Sequence, residues 1–499
     1  MTPLETLTLG TYFFVLVILA LYGWHRYYLV YVYMKNKRKL PVPLGSFEAL
    51  PRVTVQLPIY NEMYVADRLI DAVCALDYPR DLLQIQVLDD STDETTSVAE
   101  RAVRRHAAAG IDISYIHRTD RHGYKAGALE AGLKVATGEY VAIFDADFIP
   151  TTDFLQRTVQ FFTDPKVAMV QARWGHINQD YSLLTKIQSI LLDGHFVLEH
   201  GARNRSGHFF NFNGTAGIWR RTAIEDAGGW QHDTLTEDLD LSYRAQLRGW
   251  RFVFLQDLVA PAEVPVEMNA FKSQQHRWAK GSIQTCRKLL PYILAADLPL
   301  KVKVEAFFHL TANFNYVLMV LLSILMFPAM YYRYNMGWTE MLLIDVPLFA
   351  AATASVINFY LVSQREAYPD WRSRVKYLPL VMALGIGLAV NNTKALIEAL
   401  FGEPGEFTRT PKYGIERSQD DWHHKRYHQS MPIQPFIEIG LGVYFTGTVL
   451  YALAHDIYGT VPFLMLFQFG FLYTGLMSLF QQIGGNDIFV KTPQIAGGK

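Results

Sequence analysis

The apolar residues of this chain are distributed very unevenly along its length. One long apolar run lies at the N-terminus, no run of spanning length occurs between about residues 50 and 300, and the others crowd into the C-terminal part. A helix needs about 20 mostly apolar residues to cross a bilayer. The pattern therefore predicts an N-terminal anchor, a large domain outside the membrane and a C-terminal membrane domain. The low charged fraction of 19% agrees with this division.

The apolar runs predict five membrane-spanning helices. The first begins near Leu7 and ends near Arg26. The other four are predicted near residues 310–332, 341–362, 434–454 and 461–480. Basic residues at Lys301, Lys303 and 365–376 cluster on the side of the large domain, whereas the two predicted outer loops, at 333–340 and 455–460, carry only Arg333. Because cytoplasmic loops are enriched in Lys and Arg, the large domain is predicted to be cytoplasmic, with the N-terminus outside.

A shorter apolar run separates the third and fourth predicted spans. Residues 378–390 are too few to cross a bilayer, and Asn391, Asn392 and Lys394 follow them. Residues 376–401 are therefore predicted to form an amphipathic helix that lies on the cytoplasmic surface.

Strand and helix patterns alternate in the first half of the large domain. Apolar alternation and short apolar runs predict strands at 53–57, 85–88, 113–116 and 140–144. Helix-period patterns between them lie at about 64–76, 94–108 and 125–136. This order is typical of a doubly wound α/β fold, in which ligands bind beyond the carboxyl ends of the strands. Those positions hold Tyr60-Asn61-Glu62, Asp89-Asp90-Ser91 and Asp145-Ala146-Asp147.

Several classes of chemistry and partner are disfavoured. No G-x-G-x-x-G or Walker sequence accompanies these strands, which argues against dinucleotide and P-loop enzymes. The formal net charge of -1 gives no electrostatic footprint for nucleic acid. Two cysteines, Cys74 and Cys286, are too few for a cysteine-ligated zinc site, so oxygen or imidazole groups must hold any metal.

Asp145 and Asp147 lie two residues apart at the end of an apolar strand. Side chains at this spacing share one face, so both carboxylates can point toward one hard cation such as Mg²⁺ or Mn²⁺. A cation held there would neutralise a diphosphate as it leaves a sugar. Two solvated turn acids are the alternative, because D-x-D alone is a weak signal.

Three other residues at strand and helix ends suit a nucleotide. Asp89 or Asp90 could accept the ring N–H of uracil or guanine, although two turn-capping acids explain the pair equally well. Lys125 begins a helix, so its ammonium and the positive helix end could bind a phosphate together. A solvated lysine is the simpler alternative.

Two helices further along the chain carry candidate catalytic groups. Thr236-Glu237-Asp238 opens an amphipathic helix, and the helix dipole would keep Asp238 ionised, as suits a base that takes a proton from a sugar hydroxyl. A plain N-terminal helix acid is the commoner role. In Gln274-Gln275-His276-Arg277-Trp278, Trp278 offers a flat face for a sugar ring and Arg277 a fork for a diphosphate oxygen. An anchor at the membrane interface is the alternative.

Seven motifs occur together in the order and spacing of the family 2 processive glycosyltransferases. They are D-D-S-T-D, K-A-G-A-L, F-D-A-D-F, V-Q-A-R-W, F-N-G-T-A-G, T-E-D and Q-Q-H-R-W. Over nearly its whole length the chain most resembles the cellulose synthase-like A and C enzymes, which make β-1,4-linked mannan or glucan backbones. The resemblance implies an α/β fold of the GT-A (Rossmann-like) type in the cytoplasm, joined to an α-helical transmembrane domain.

The resemblance also implies roles for individual residues. Asp238 would be the general base, with Thr236 and Glu237 beside it. The nucleotide sugar would be bound by Tyr60, Glu62, Asp89, Asp90, Lys125, Asp145, Gln274, Arg277, Trp278, Thr410 and Lys412. The acceptor would be bound by Trp174, Asn213, Gly214, Thr215 and Trp278. Asp145 and Asp147 would hold Mg²⁺ or Mn²⁺, and Phe148 follows them where bacterial cellulose synthases have His, which leaves a third metal ligand open.

The stretch Phe407-Thr408-Arg409-Thr410-Pro411-Lys412 resembles the gating loop with which cellulose synthases cover a bound nucleotide. A polar linker is the alternative. The expected organisation is an anchor at 1–40, a catalytic domain at 41–270, interfacial helices with the Q-x-x-R-W motif at 271–304, two spans at 305–363, interfacial helices with the gating loop at 364–433, and two spans with a short tail at 434–499.

The implied activity is inverting, metal-dependent hexosyl transfer from UDP-glucose or GDP-mannose to a growing cell-wall polysaccharide. The protein would be a multi-pass component of the plasma membrane, or of the Golgi in a eukaryote, and would pass its product through its own spans. His309, Asn313, Asn315 and Asn358 lie within predicted spans and could line that path, with helix-to-helix hydrogen bonds as the alternative. A single-transfer lipid glycosyltransferase of the ceramide glucosyltransferase type is the alternative activity.

Overall fold

A mixed β-sheet lies at the centre of the domain between the N-terminal and C-terminal apolar helices. The computed structural model describes residues 1–337, 339–402, 409–417, 419–422, 425 and 433–486. Within them, the strands are β1 (Val53–Ile59), β2 (Leu83–Asp89), β3 (Ile113–His117), β4 (Tyr140–Ile143), β5 (Val167–His176), β6 (Gly217–Arg220) and β7 (Arg251–Ala262). They are arranged in the order β3-β2-β1-β4-β6-β5-β7.

Helices flank the sheet and continue into the apolar C-terminal part. Those up to the end of the catalytic domain are α1 (Pro3–Asn36), α2 (Ala66–Cys74), α3 (Thr95–Ala108), α4 (Tyr124–Val135), α5 (Phe154–Val159), α6 (Leu183–Asp193), α7 (Gly201–Ser206), α8 (Arg221–Asp226) and α9 (Glu237–Leu247). The remainder are α10 (Met268–Ala295), α11 (Leu300–Thr311), α12 (Phe314–Asn335), α13 (Thr339–Ala367), α14 (Trp371–Arg374), α15 (Leu378–Gly387), α16 (Ala389–Phe401), α17 (Gln434–Ala454) and α18 (Val461–Asn486).

The first half of the sheet alternates strands and helices. β1 pairs in parallel with β2 on one side and with β4 on the other. All seven residues of β1 are buried, as expected for a central parallel strand covered on both faces. The strands and helices predicted in this half are confirmed. Beyond β4 the pattern changes, because β6 runs antiparallel to both β4 and β5.

Five helical segments of the described residues are long and apolar enough to cross a membrane. They are α1, α12, Trp371–Phe401, α17 and Tyr458–Gln481. The predicted spans at the N-terminus, 310–332, 434–454 and 461–480 coincide with four of these segments. The predicted span at 341–362 lies within α13, which is not among the five.

The segment that contains α15 and α16 differs from its prediction. By length and composition, the expectation that this run is too short to cross is wrong, because helical structure runs from Trp371 to Phe401 with a single turn residue, Leu388, between α15 and α16. Val381 and Leu384 of α15 nevertheless pack against apolar residues of α6 and α10 outside the five apolar segments. Gly387 of α15 also packs against Gly470 and Thr474 of α18, within one of the five segments, so the position of α15 on the cytoplasmic surface stays a prediction.

Arg333 also lies elsewhere than predicted. It belongs to α12 rather than to an outer loop, and only 1% of it is exposed. Its Nε donates to the carbonyl of Ala329 at 2.8 Å, and its guanidinium carbon lies 5.0 Å from the ring centre of Tyr12 on α1. The helix continues past this charge because a carbonyl and an aromatic face replace its lost hydration.

The catalytic domain is joined to α1 through a π-helix and a buried ionic network. The π-helix, Gly194–His200, connects α6 to α7. Nε of Arg203 on α7 donates to Glu305 of α11 at 2.8 Å, and the other carboxylate oxygen of Glu305 lies 2.8 Å from Nε2 of His25 on α1. Anchor, catalytic domain and interfacial helix therefore meet at one cluster of charges.

Candidate active site

The carboxyl ends of β1 and β4 open into one cavity of about 160 Å³. Tyr60 and Glu62 follow β1, and Asp145 and Asp147 follow β4. Because β1 and β4 are parallel neighbours, these residues meet at the same edge of the sheet. Every predicted site residue lines this cavity except Asp89 and Thr215.

Lys125 connects three parts of the site. Its ammonium donates to Oδ1 of Asp145 at 2.5 Å and to the carbonyl of Gly214 at 3.0 Å. Burial lowers the pKa of Lys125, but the negative charges of Asp145 and Glu237 outweigh it and raise the pKa above its usual value. The ammonium therefore stays charged. Thr215 does not line the cavity, but its Oγ1 accepts a hydrogen bond from the backbone N–H of Asp145 at 2.8 Å and so helps to position that residue.

Gly214 brings the backbone close to two reactive groups. Its φ of +80° lies in the left-handed region that favours glycine. A Cβ at this position would lie 3.0 Å from Oδ2 of Asp238 and 3.3 Å from Nζ of Lys125. A side chain would therefore fill the space between the acid and the ammonium.

Asp238 is an acid whose environment is suited to proton transfer. It lies in the first turn of α9, where Oδ1 accepts the backbone N–H of Leu239 at 2.8 Å. Burial and the neighbouring charge of Glu237 raise the pKa of Asp238 to about 7, with Lys125 opposing them. The expectation that the helix dipole keeps this group fully ionised is therefore corrected, since burial outweighs it. A carboxyl with a pKa near neutrality is suited to act as a general base.

The segment 409–417 crosses one side of the cavity. Lys412 donates to Oδ2 of Asp147 at 2.6 Å and to the carbonyl of Glu263 at 3.1 Å. The carboxylate of Glu263, just beyond β7, accepts three consecutive backbone N–H groups, those of Tyr413, Gly414 and Ile415. These bonds hold the segment over the end of the sheet.

The predicted gating-loop motif is only partly within the described residues, since Phe407 and Thr408 lie outside them. Arg409 approaches Glu62 at 3.8 Å. Burial raises the pKa of Glu62 to about 7, and Arg409 opposes this rise. Thr410 is buried against the cavity, and its Oγ1 has no hydrogen-bond partner in the described part of the chain.

Three aromatic side chains form a wall of the cavity. The ring centres of Trp174 and Trp278 lie 6.4 Å apart, and that of Phe148 lies 5.2 Å from Trp174. The indole N–H of Trp174 has no acceptor among the described residues. Asn213 lines the same cavity.

Gln274 and Arg277 reach the cavity from α10, the helix that also carries Trp278. Burial lowers the pKa of Arg277, while the carboxylates of Glu237 and Asp145 oppose this shift. Thr236 precedes α9 and packs against Gly281 of α10, where an added Cβ would lie 2.6 Å from its methyl group. This contact brings the two helices together at the site.

The two acids after β2 are placed differently from the prediction of direct base binding. Asp89 is 0% exposed and accepts from the hydroxyl of Tyr115 at 2.6 Å. Asp90 reaches the cavity edge, but both its oxygens accept from Arg118, at 2.8 Å and 2.6 Å. Direct binding of the base by either acid stays a prediction, and the geometry shows a structural role for both.

Sequence reasoning missed two residues of the site. Arg121 lines the cavity, and its guanidinium lies over the ring of Tyr60. Glu263 holds the segment 409–417 as described above. The sequence feature that could have identified Arg121 is its position shortly before Lys125 at the start of a helix. The feature that could have identified Glu263 is an acidic residue directly after an apolar strand.

The acidic residues of the cavity fit a hard divalent cation. The described residues contain no group of three or more His, Cys, Asp or Glu side chains that could hold a metal. Asp145 and Asp147 can provide two carboxylates, the donor type that Mg²⁺ and Mn²⁺ prefer. Burial raises the pKa of Glu62, and the negative charges of Asp147 and Asp145 add to this rise, so a cation bound at the two aspartates would relieve their repulsion of Glu62.

The mixed sheet, with its acidic cavity at the strand ends, has the fold of a glycosyltransferase domain of the GT-A type. Residues 51–281 match the family described as "Glycosyltransferase like family 2". Residues 51–281 are therefore a glycosyltransferase family 2 domain, as the predicted resemblance implies.

Curated relatives agree with this assignment. Glucomannan 4-beta-mannosyltransferase 2 of Arabidopsis thaliana is 49% identical over 256 residues, which cover 50% of this chain and 48% of that protein. Glucomannan 4-beta-mannosyltransferase 1 of Oryza sativa subsp. japonica is 44% identical over 297 residues, which cover 58% and 56% respectively. The chain spans about half the length of the curated relatives it matches.

One solved structure supports the fold. It is the mannosyltransferase PcManGT from Pyrobaculum calidifontis in complex with GDP-Man and Mn²⁺, with a TM-score of 0.51 and 22% identity. The match covers 78% of this chain and 98% of that chain. The predicted GT-A fold with apolar helices is therefore confirmed.

Proposed function

We propose that this chain is an inverting, metal-dependent membrane hexosyltransferase that builds a β-1,4-linked glucan or mannan from a nucleotide-diphosphate sugar. The observation that carries the proposal is the position of Asp238, a carboxyl with a raised pKa in the cavity that also holds Lys125, Asp145 and Trp278. Relatives named glucomannan 4-beta-mannosyltransferases support a β-mannan product. The structural neighbour bound to GDP-Man and Mn²⁺ supports GDP-mannose as donor, with UDP-glucose as the other choice.

In this mechanism Asp238 takes the proton of an acceptor hydroxyl, which attacks the anomeric carbon in line and converts an α-linked donor into a β-glycoside. Lys125 and Arg277 stabilise the charge of the departing diphosphate. Trp278 and Trp174 bind the faces of the acceptor sugar. A Mg²⁺ or Mn²⁺ ion held by Asp145 and Asp147 would neutralise the diphosphate further.

Polymerisation, rather than a single transfer, is supported by the segment 409–417. Its bonds to Asp147 and Glu263 hold it across one side of the cavity. A segment of this kind can open for donor exchange while the acceptor stays bound. A single-transfer lipid glycosyltransferase remains the alternative activity.

The proposal includes a path for the product between the apolar helices, lined by polar side chains. For His309 the alternative of a hydrogen bond between helices is favoured, because its Nδ1 lies 2.7 Å from the hydroxyl of Tyr243 on α9. Asn315 keeps a buried Oδ1 with no hydrogen-bond partner among the described residues. With Asn313 and Asn358, it is still a candidate for contact with a polar chain.

The proposal is tested in sealed vesicles with the catalytic face outward, supplied separately with GDP-mannose and UDP-glucose plus Mn²⁺. We expect polymer that becomes resistant to added glycosidase as it enters the lumen. Products of one or two sugars would favour the single-transfer enzyme, and polymer that stays fully digestible would exclude translocation. Linkage analysis of the product checks the β-1,4 assignment.

A further inference from the structure

Two histidines of the π-helix bind the amide of one residue of the catalytic cavity. Nε2 of His200 lies 2.6 Å from Oδ1 of Asn213, and Nε2 of His195 lies 2.9 Å from Nδ2 of the same side chain. Asn213 lines the cavity, and its backbone N–H donates to Oε1 of Gln171 at 3.1 Å. Both ends of the amide are therefore held from within the protein, while the side chain still borders the cavity.

The π-helix is what brings both histidines to Asn213. His195 and His200 lie five residues apart within Gly194–His200. In an α-helix, residues at this separation point about 140° apart, whereas the i→i+5 bonding of a π-helix brings them to the same side. The centres of the two rings here lie 4.3 Å apart. Because π-helical turns are rare and often occur at functional sites, this one favours a role in the site.

Two close contacts hold the π-helix between the apolar helices. Gly194 at its start packs against α13, where an added Cβ would lie 2.6 Å from a ring carbon of Tyr360. Gly201, directly after its end, packs against α1, where an added Cβ would lie 2.8 Å from a ring carbon of Tyr33. The π-helix is therefore fixed at both ends.

The neighbours of His195 assign one half of the Asn213 amide. Burial raises the pKa of Glu199, but Arg203 and His195 outweigh it and hold this pKa below its usual value, so Glu199 is a carboxylate that only accepts. Nδ1 of His195, 2.8 Å from Glu199, therefore carries the ring N–H. Nε2 of His195 then accepts a hydrogen bond from the amide N–H of Asn213.

His200 assigns the other half. Burial holds the pKa of His200 well below its usual value, so the ring is neutral and has one N–H. Its Nδ1 has no partner among the described residues, so the N–H lies on Nε2 and donates to Oδ1 of Asn213. A half-turn of the amide would set donor against donor at one histidine or acceptor against acceptor, so a single orientation is fixed. An amide has two N–H groups and two carbonyl lone pairs, so one of each is left for a ligand.

We propose that His195 and His200 are positioning residues, which fix the amide of Asn213 so that its remaining N–H and lone pair bind one hydroxyl of the acceptor sugar. A hydroxyl both donates and accepts, so it matches this pair of groups. Gly214, the next residue, lies against Oδ2 of Asp238, the proposed base. Asn213 is therefore on the side of the cavity where an acceptor hydroxyl would lose its proton.

This inference rests on the proposed transfer of a hexose to a growing glycan. It is tested on the purified full-length protein with Mn²⁺ and the donor and acceptor pair that the wild type uses, either GDP-mannose with mannohexaose or UDP-glucose with cellohexaose. In His195→Ala and in His200→Ala, the KM for the oligosaccharide should rise about 3- to 12-fold, the effect of a lost neutral hydrogen bond. The KM for the donor should not change. His208→Ala, at a buried histidine that follows α7, is the matched control and should change neither.

Further variants separate positioning from a general loss of structure. His200→Gln keeps an N–H near the place of Nε2, so it should restore the acceptor KM. His200→Leu fills the space without an N–H, so it should behave like His200→Ala and takes its place if the alanine variant does not fold. In the Asn213→Ala background, the histidine variants should cause no further rise in the acceptor KM, because they act only through that amide. Thermal unfolding checks that each variant is folded.

Each other outcome overturns the inference in a different way. If the histidine variants raise the KM of the donor as much as that of the acceptor, Asn213 does not bind the acceptor alone. If they cause the same rise in the Asn213→Ala background, they act elsewhere in the protein. If they leave the acceptor KM unchanged, the inference is refuted while the proposed function stands. If the wild-type protein transfers sugar from neither donor, the proposed function fails and this inference fails with it.

Discussion

The ammonium of Lys412 lies 2.6 Å from Oδ2 of Asp147, so the protein's own cation occupies a carboxylate that we propose to hold a metal ion. Lys412 belongs to the segment 409–417 that crosses the cavity. Metal binding and the position of this segment are therefore linked, because the lysine and a metal compete for the same oxygen.

Removal of this competitor should strengthen metal binding and slow elongation. In Lys412→Met, we expect Mn²⁺ to bind about tenfold more tightly, since a hydrogen bond to a charged group contributes about 1.5–3 kcal/mol. Electron paramagnetic resonance of free Mn²⁺ measures the affinity. Lys134→Met, at an exposed lysine of α4, is the control. An unchanged affinity would show that Asp147 is not a metal ligand. Full activity of Asp147→Ala, or of the wild-type protein in excess chelator, would contradict the proposed metal site in the same way.

Replacement of the proposed base should stop chemistry but not donor binding. Asp238→Asn keeps the shape of the side chain and cannot accept the proton, so turnover should fall about 10²- to 10⁴-fold. Nucleotide affinity, measured by calorimetry, should stay within about twofold of the wild type. Asp233→Asn, at an exposed acid before the same helix, should keep full activity. Turnover retained in Asp238→Asn would refute the assignment of Asp238 as the general base.

The rate should depend on pH through the same group. Burial and Glu237 raise the pKa of Asp238 to about 7, so the carboxyl is protonated and inactive at lower pH. We expect turnover at saturating donor to fall about tenfold per pH unit below 7 and to level off above it. Glu62 has a similarly raised pKa, and Glu62→Gln should keep this profile if Asp238 is responsible. A flat profile between pH 5.5 and 8 would be contrary to the prediction.

A buried ion pair should tie α10 to the last two helices. Nζ of Lys272 donates to Glu438 at 2.5 Å and to Ser478 at 2.7 Å, and Lys272 and Glu438 are fully buried. Lys272→Met leaves the carboxylate of Glu438 without its cation, which should destabilise the protein by about 3–5 kcal/mol. The double variant Lys272→Met with Glu438→Leu should regain most of this loss. Thermal unfolding in detergent measures both, and equal losses in the single and double variants would argue against the pair.

The sequence predicted the parts of the site that depend on strand ends and helix starts. Asp145 and Lys125 were found because a carboxyl strand end and a helix N-terminus have recognisable sequence patterns. Asp89 was predicted to bind the base, yet its side chain points into the protein toward Tyr115. Which way the last residue of a strand points depends on the register of its neighbours, and a single sequence does not give that register.

Long-range contacts account for the rest of what sequence reasoning missed. The stacking of Arg121 on Tyr60 depends on left-handed backbone at two residues that are not glycine. Sequence rules disfavour this conformation, so only the tertiary contacts of Arg118 reveal it. The 376–401 segment was misjudged in length because residues on both sides of the apolar run also join the helical structure.

The ionic network of His25, Arg203 and Glu305 has a mechanical consequence. Each partner comes from a different part of the chain, and separating them would leave a buried charge without its partner. The network therefore opposes a rotation of the catalytic domain relative to α1, because such a rotation would separate these charges. Under the proposed function, we expect the motion that admits a donor and releases its product to occur in short segments at the rim of the cavity, such as 409–417. If the chain polymerises a glycan as proposed, such an anchored domain would keep the product in one direction relative to α1 as it grows.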